Sequence, residues 1–174
     1  MTVLIALLKT YLDIVALRKS PADLPSSSLV LAVSVILVGS TFALQFLLFS
    51  TPSASIMNVL YGYAAELSVY LSTATLAGFS QRLRQMLSAI IGCGALIALL
   101  SVAVRILALP LVGGVAANAL AVLTFFWAVP VKGHIMARTL DRHWFIGIAV
   151  AMLAFVVRFS VESILVVIQQ GGGS

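Results

Sequence analysis

Residues 86–109 read MLSAIIGCGALIALLSVAVRILAL, an apolar run whose only charged side chain is Arg105. A helix of this length covers the ~30 Å hydrocarbon core of a bilayer, which takes roughly 20 apolar residues. Four other runs have comparable length and composition: Leu29–Phe49, Ala54–Phe79, Leu111–Val131 and Trp144–Ile168. The sequence therefore predicts an all-α polytopic membrane protein with five transmembrane helices.

The composition agrees with this prediction and excludes several classes of protein. Hydrophobic residues make up 62% of the chain and charged residues 9%, and the mean hydropathy of +1.19 excludes a water-soluble domain. With 174 residues in total, one membrane domain over residues 29–168 leaves no room for a second domain. The net charge of +5 is spread over loops rather than gathered into a patch, so we expect no nucleic acid partner.

Positive charge marks one side of the predicted bundle. Eight basic residues lie before the first span or in the connections after the second and fourth: Lys9, Arg18, Lys19, Arg82, Arg84, Lys132, Arg138 and Arg142. The connections over residues 50–53 and 110–114 contain none. By the positive-inside rule, the amino terminus is cytoplasmic and the carboxyl terminus periplasmic.

Residues 1–28 are predicted to form an amphipathic interfacial helix over residues 2–20, followed by a linker. Lys9 and Asp13 are four residues apart on a polar stripe, close enough to pair, and Arg18 and Lys19 follow. The rest of the helix surface is apolar through Leu4, Leu8, Tyr11, Leu12 and Val15. Pro21 and Pro25 are expected to end the helix. At the other terminus, residues 169–174 are predicted to be a tail, part of it with the composition of a flexible linker.

Seven polar residues lie inside the predicted spans, where they are unusual. Four are charged, namely Glu66, Arg105, Arg158 and Glu162, and three are amides, namely Gln45, Asn58 and Asn118. An ionised side chain at the centre of a bilayer costs at least about 2.5–3.5 kcal/mol, so the charged residues require partners. Helical rise places them in the middle or outer half of the membrane.

Two interpretations of these residues remain open. In the first, Glu66 pairs with Arg158 or Arg105, and the other groups complete a neutral network that determines how the helices pack. In the second, the same groups line an outward-facing polar cavity or a contact between subunits, where Glu66 exchanges a proton or binds a cationic group.

Small residues four apart indicate where helices approach closely. Four such pairs occur: Ser88 with Gly92, Gly94 with Ala98, Ala74 with Gly78, and Gly147 with Ala151. This spacing allows two helix backbones to come together, and we interpret the pairs as packing contacts.

Motifs of catalysis and of metal binding are absent from the sequence. His134 and His143 lack the spacing of helical metal sites, and we expect them at the membrane interface. The sequence contains no nucleophile elbow and no phosphate-binding loop. We therefore expect no enzyme activity, no metal and no cofactor.

Two stretches resemble a known family. The leader Leu17–Pro25, reading LRKSPADLP, resembles that of small proteobacterial proteins of the Yip1-like group, which share the lead helix and five spans. Leu60–Tyr63 is similar to a Tyr-Gly element of the eukaryotic branch, whose members act in membrane traffic and bind small GTPases. The fuller eukaryotic motif is missing, so a GTPase partner does not carry over. The resemblance implies a bacterial inner-membrane protein that acts through other membrane proteins or lipids.

Three functions follow as hypotheses. The first is a non-enzymatic membrane subunit or assembly factor that acts through helix contacts with itself or with another integral membrane protein. The second is a small transporter or channel lined by Glu66, Arg105, Arg158 and Glu162. The third is binding or scrambling of membrane lipids along a polar face between spans.

Overall fold

Helices account for nearly all of the computed structural model, which describes residues 2–49 and 53–171 and has no strand in these ranges. Short 3-10 turns at Pro21–Asp23 and Ser80–Arg82 join some of the helices. The helices are α1 Thr2–Val15, α2 Ser28–Phe49, α3 Ser53–Leu76, α4 Leu83–Phe126, α5 Ala128–Thr139 and α6 Trp144–Gly171. The prediction of an all-α chain is confirmed for the described residues.

Three helical segments within the described residues are long and apolar enough to cross a membrane. They are Ser28–Leu48, Ser80–Thr139 and Trp144–Gln169, with mean hydropathies of 2.2, 2.5 and 2.2. α3 has 24 residues and is long enough, but Asn58, Glu66 and its tyrosines dilute its apolar composition. The predicted connection over residues 50–53 lies, apart from Ser53, outside the described part of the chain.

The boundary between the predicted third and fourth spans was wrong. Pro110 lies inside α4, and the helix is interrupted instead at Gly113, where φ is 80° and ψ is 168°. A left-handed φ is costly for residues with a Cβ atom, so glycine is the residue at which the backbone can turn. The Ser101 hydroxyl donates to the Ala121 carbonyl at 2.8 Å, although an unbroken helix would hold these residues roughly 30 Å apart. α4 is therefore a helical hairpin in which residues 114–126 fold back along residues 83–112.

The predicted basic loop over residues 132–143 is mostly helical. α5 follows a break at Trp127 and extends to Thr139, so only a short connection precedes α6. Apolar residues at helical spacing, including Val131, Ile135 and Met136, are buried on one side of α5. This buried face is the physical reason why the segment is a helix, and it places the neighbouring Lys132 in the interior.

Two predicted helix ends also change. α3 ends at Leu76 rather than Phe79, because Gly78 adopts a φ of 85° and the amide of Phe79 donates to the Ala74 carbonyl. Gly78 thus caps a helix, and a Cβ atom there would meet nothing within 4 Å, so it is not the packing residue we expected. α6 continues beyond Ile168 to Gly171, through the start of the predicted tail, and residues 172–174 lie outside the description.

α5 and α6 cross at two glycines. A Cβ atom on Gly147 would overlap the carbonyl oxygen of Gly133 and would lie 2.7 Å from the Ala137 nitrogen. A Cβ atom on Gly133 would lie 2.5 Å from the Cδ1 atom of Ile148. The prediction that Gly147 marks a close helix approach is confirmed.

Replacing Gly147 with alanine should therefore destabilise the fold. We expect Gly147→Ala to lower the free energy of unfolding by about 2 kcal/mol, because the backbones must separate. Gly39→Ala is the matched control, since a Cβ atom at Gly39 on α2 meets nothing within 4 Å. Denaturation in detergent measures both, and equal stability of the two variants would contradict the close crossing.

α1 is shorter than predicted, and its ion pair differs from the predicted one. It ends at Val15, where Leu17 takes a φ of 60° and the amide of Arg18 donates to the Asp13 carbonyl. The Asp13 carboxylate contacts Lys19 at 3.0 Å, so Asp13 does not pair with Lys9 as expected. The turn at Pro21–Asp23 is capped by Ser20, so Pro21 begins this turn rather than ending the helix.

One face of α1 packs against the protein through Leu7, Tyr11 and Ile14, while Leu4 and Leu12 are exposed. The ring of Tyr11 covers Gly92, where a Cβ atom would lie 2.7 Å from the ring. Its hydroxyl lies 2.7 Å from Ser34 Oγ, whose single hydrogen is directed at the Val30 or Ser88 carbonyl, so Tyr11 donates. Burial raises the pKa of Tyr11, a shift that further favours the neutral hydroxyl over the phenolate.

Cys93 lies beneath α1, with its thiol 3.7 Å from the Tyr11 carbonyl, and it is the single cysteine of the chain. We expect Tyr11→Ala to raise the rate of maleimide labelling at Cys93 by about tenfold or more, because α1 would detach. Leu12→Ala is the control on the exposed face of α1. Labelling that stays as slow in Tyr11→Ala as in the wild type would show that α1 does not protect the thiol.

Connections that we predicted to be cytoplasmic meet at one end of the bundle. Arg82 donates to Asp141 at 2.8 Å and to the Thr139 carbonyl at 3.2 Å, which joins the start of α4 to the end of α5. The linker after α1 reaches the same region, where the Leu24 carbonyl accepts from Gln85 at 2.8 Å.

Candidate functional site: a buried ionic cluster

α3 and α6 run antiparallel and bring polar side chains together along their contact. At one end, Asn58 and Gln169 exchange two hydrogen bonds at 3.1 and 3.2 Å. Further along, Gly62 lies against the side chain of Glu162, a contact that any larger residue would displace. Glu66 follows Gly62 by four residues on α3, so it lies further along the same contact.

Glu66 is the centre of a buried ionic cluster made of Glu66, Lys132, Arg158 and Glu162. Its Oε2 atom accepts from Arg158 Nη1 at 3.2 Å, and Arg158 Nε donates to Glu162 at 2.9 Å. The second oxygen of Glu66 accepts from the ammonium of Lys132 and, at 3.4 Å, from the Tyr70 hydroxyl. Glu66 is 1% exposed, Lys132 6% and Arg158 9%. Three helices thus contribute charges to one interior site.

The charges of the cluster balance, with two cations and two carboxylates. Each oxygen of Glu66 has a cationic partner, and Arg158 bridges two acids. A buried charge left without a partner costs several kcal/mol, whereas a neutral and hydrogen-bonded group avoids most of that cost. Of the two partners considered for Glu66 from sequence, Arg158 is the one in contact.

Lys132 is the member that sequence reasoning missed. The sequence predicts Lys132 as a loop cation that marks the cytoplasmic side, but it is buried on α5 and contacts Glu66. A signal was present, because Ala128, Val131, Lys132, Ile135 and Met136 recur at the spacing of one helix face. Lys132 therefore belongs to the buried stripe of α5 and is excluded from the charges that orient the chain.

Tyr63 lies between the cations of the cluster. Its ring centroid is 5.9 Å from Lys132 Nζ and 5.7 Å from the guanidinium carbon of Arg158, and Phe42 packs edge-on against it. Its hydroxyl is buried and has no hydrogen-bond partner, alone among the buried side-chain polar atoms of the described residues. Tyr63 belongs to the Leu60–Tyr63 element of the resemblance, but the sequence analysis did not place it in the polar network, because its side chain carries no charge.

The remaining predicted residues lie elsewhere. Gln45, Arg105 and Asn118 line a separate cleft between α2 and the two halves of α4. Asn58 pairs with Gln169 at the far end of α3. The single set of seven polar groups that we predicted is therefore divided between the α3–α6 contact and this cleft.

The basic residues of α1 and its linker are not part of the cluster. Lys9 and Arg18 are exposed, and Lys19 contacts Asp13. The Lys19 carbonyl lies 3.1 Å from the ring nitrogen Nε2 of His134, so this histidine contacts the linker. His143 stacks on Phe145. Across the described ranges, no three residues among His, Cys, Asp and Glu are grouped to hold a metal ion.

Comparison of the chain with models of known protein families, with curated proteins and with solved structures finds no match. The resemblance to Yip1-like proteins therefore stays a prediction. In the site, three ion pairs join the four charges in the order Lys132, Glu66, Arg158 and Glu162, an arrangement suited to holding helices together.

The charge balance predicts a compensating pair of substitutions. We expect Lys132→Met to lower the free energy of unfolding by about 3 kcal/mol, because it leaves an excess buried carboxylate. Adding Glu66→Gln restores a neutral cluster, so the double variant should recover most of the loss.

Unfolding in mixed detergent micelles measures this cycle, with Lys19→Met as the control. Lys19 belongs to a partly exposed pair, which contributes at most about 1 kcal/mol. A double variant that is no more stable than Lys132→Met would refute the charge balance as the source of stability.

Proposed function

We propose that the chain is an integral membrane protein of the bacterial inner membrane that acts without catalysis, through contacts of its helices with themselves in a second copy or with another membrane protein. The observation that carries the proposal is the set of ion pairs that joins the charges of α3, α5 and α6 to one another. Because these charges pair internally, they hold the helices in place and leave the outer helix faces for contacts.

Five passes are the arrangement that fits these helices best. α2, α3 and α6 are each one pass, the first half of α4 is another, and its second half returns together with α5. The basic residues outside the spans other than Lys132 then share one side, including Arg82 and Arg138. This supports a cytoplasmic amino terminus and a periplasmic carboxyl terminus. The exposed apolar face of α1 would lie against the lipid interface.

α6 offers a surface for assembly. A groove of about 550 Å³ follows its exposed side and is lined by Phe155, Val156, Phe159, Ser160, Ser163 and Ile164. The serines are exposed on an otherwise apolar face of α6, and hydroxyls and small residues at such positions favour helix contacts in lipid. A helix of a second copy or of a partner would bury both the groove and its hydroxyls.

Purification in mild detergent, with cross-linking in the membrane beforehand, tests this proposal. We expect the wild type to be recovered as oligomers or with associated chains, and Ser160→Leu/Ser163→Leu to be recovered mainly as monomers. Ser40→Leu is the control, since Ser40 is an exposed serine on α2. A wild type that yields only monomers after cross-linking would oppose assembly as its function.

A second candidate function is the small transporter, which is also the second hypothesis from the sequence. The observation that favours it is the buried, unpartnered hydroxyl of Tyr63, a residue whose ring lies near Lys132 and Arg158, because a water molecule or a transported ion could supply the missing hydrogen bond. Flux measurements in liposomes distinguish the two candidates. An assembly factor produces no flux, whereas a transporter produces flux that Tyr63→Phe reduces.

A further inference from the structure

The hairpin of α4 builds a polar cleft away from the ionic cluster. The hydrogen bond from Ser101 to Ala121 holds the two halves side by side, and α2 forms the third wall. The cleft has a volume of about 420 Å³ and is lined by Gln45, Ser101, Val102, Arg105, Asn118, Ala121 and Val122. Three separate stretches of chain therefore bring polar side chains to one place.

The lining has the chemistry of an anion site. Arg105 is its charged residue, none of the described residues that line the cleft is acidic, and the amides of Gln45 and Asn118 add hydrogen-bond donors. A guanidinium matches phosphate and carboxylate oxygens, to which it can donate two parallel bonds. Arg105 is only partly buried and has a contact within the protein. Its guanidinium carries five N–H donors, so it can bind a ligand in addition to that contact.

The surroundings of the cleft are apolar on the outside of the bundle. Arg105 precedes the turn at Gly113 by eight residues, which is roughly 12 Å along the helix. Exposed side chains of the same hairpin, including Ile106, Leu107 and Val115, form an apolar surface next to it. This combination suits an amphiphile whose charged head enters the cleft while its chains follow the hairpin.

We propose that this cleft binds an anionic oxygen headgroup, with Arg105 as the primary contact and Asn118 and Gln45 as secondary donors. An anionic phospholipid such as phosphatidylglycerol and a free phosphate share this chemistry. The inference rests on the proposed membrane location, but it is independent of the proposed assembly through α6.

Lipid retention by the full chain in mixed nanodiscs tests the site. Native mass spectrometry compares phosphatidylglycerol with phosphatidylcholine of the same acyl chains. We expect a preference of about tenfold for the anionic lipid in the wild type, and loss of this preference in Arg105→Gln. Arg105→Lys should keep part of the preference, because it keeps the charge but loses the planar fork.

Arg142→Gln is the matched control, because Arg142 is an exposed cation outside the cleft. Should Arg105→Gln fail to fold, as judged by rapid labelling of Cys93, Asn118→Leu carries the test, since Asn118 is exposed and tolerates change. A preference that survives both Arg105→Gln and Asn118→Leu, or that Arg142→Gln abolishes equally, would overturn the proposal.

Inorganic phosphate distinguishes the two sources of the headgroup. If it displaces phosphatidylglycerol at millimolar concentration, the cleft serves soluble anions; if the lipid is retained, the cleft serves lipid. Both results support an anion site at Arg105. A chain that stays in solution without detergent would refute the membrane location, whereas monomers that still prefer the anionic lipid would refute only the assembly.

Discussion

A single carboxylate, that of Glu66, determines how three of the helices are arranged. It is buried on α3 and accepts from Lys132 on α5 and from Arg158 on α6. Burying an ionised carboxylate without a partner costs several kcal/mol of folding free energy. The folded state therefore requires these cations beside Glu66. The glycines at the crossing of α5 and α6 then allow Lys132 and Arg158 to approach the same acid.

The ionic cluster lies apart from the two surfaces proposed for binding. α3 is the least apolar of the long helices, and its Glu66 and Asn58 side chains pair with side chains of α5 and α6. The groove of α6 and the cleft at Arg105 lie outside this contact and face the surroundings. The fold thus places the ion pairs that join α3, α5 and α6 apart from the residues that line the groove and the cleft.

Much of the local structure follows from hydropathy. The bounds of α2 and α6 differ from the predicted spans by three residues or fewer, because long apolar runs form helices whatever their neighbours. The contact of Arg158 with Glu162 could also be predicted from the sequence, since residues four apart share a helix face. The helix ends were harder to predict. The backbone turns at Leu17, Gly78 and Gly113 through positive φ angles, which composition does not reveal.

The sequence by itself determined the helical class, the apolar segments and the identity of the charges that need partners, because these depend on composition and on spacing within one helix. Only the tertiary structure decided that Lys132 is an interior cation, that Arg105 belongs to a different site from Glu66, and that Tyr11 covers Gly92. These contacts join residues far apart in the chain. They depend on how the helices cross, and no period within a single helix encodes that.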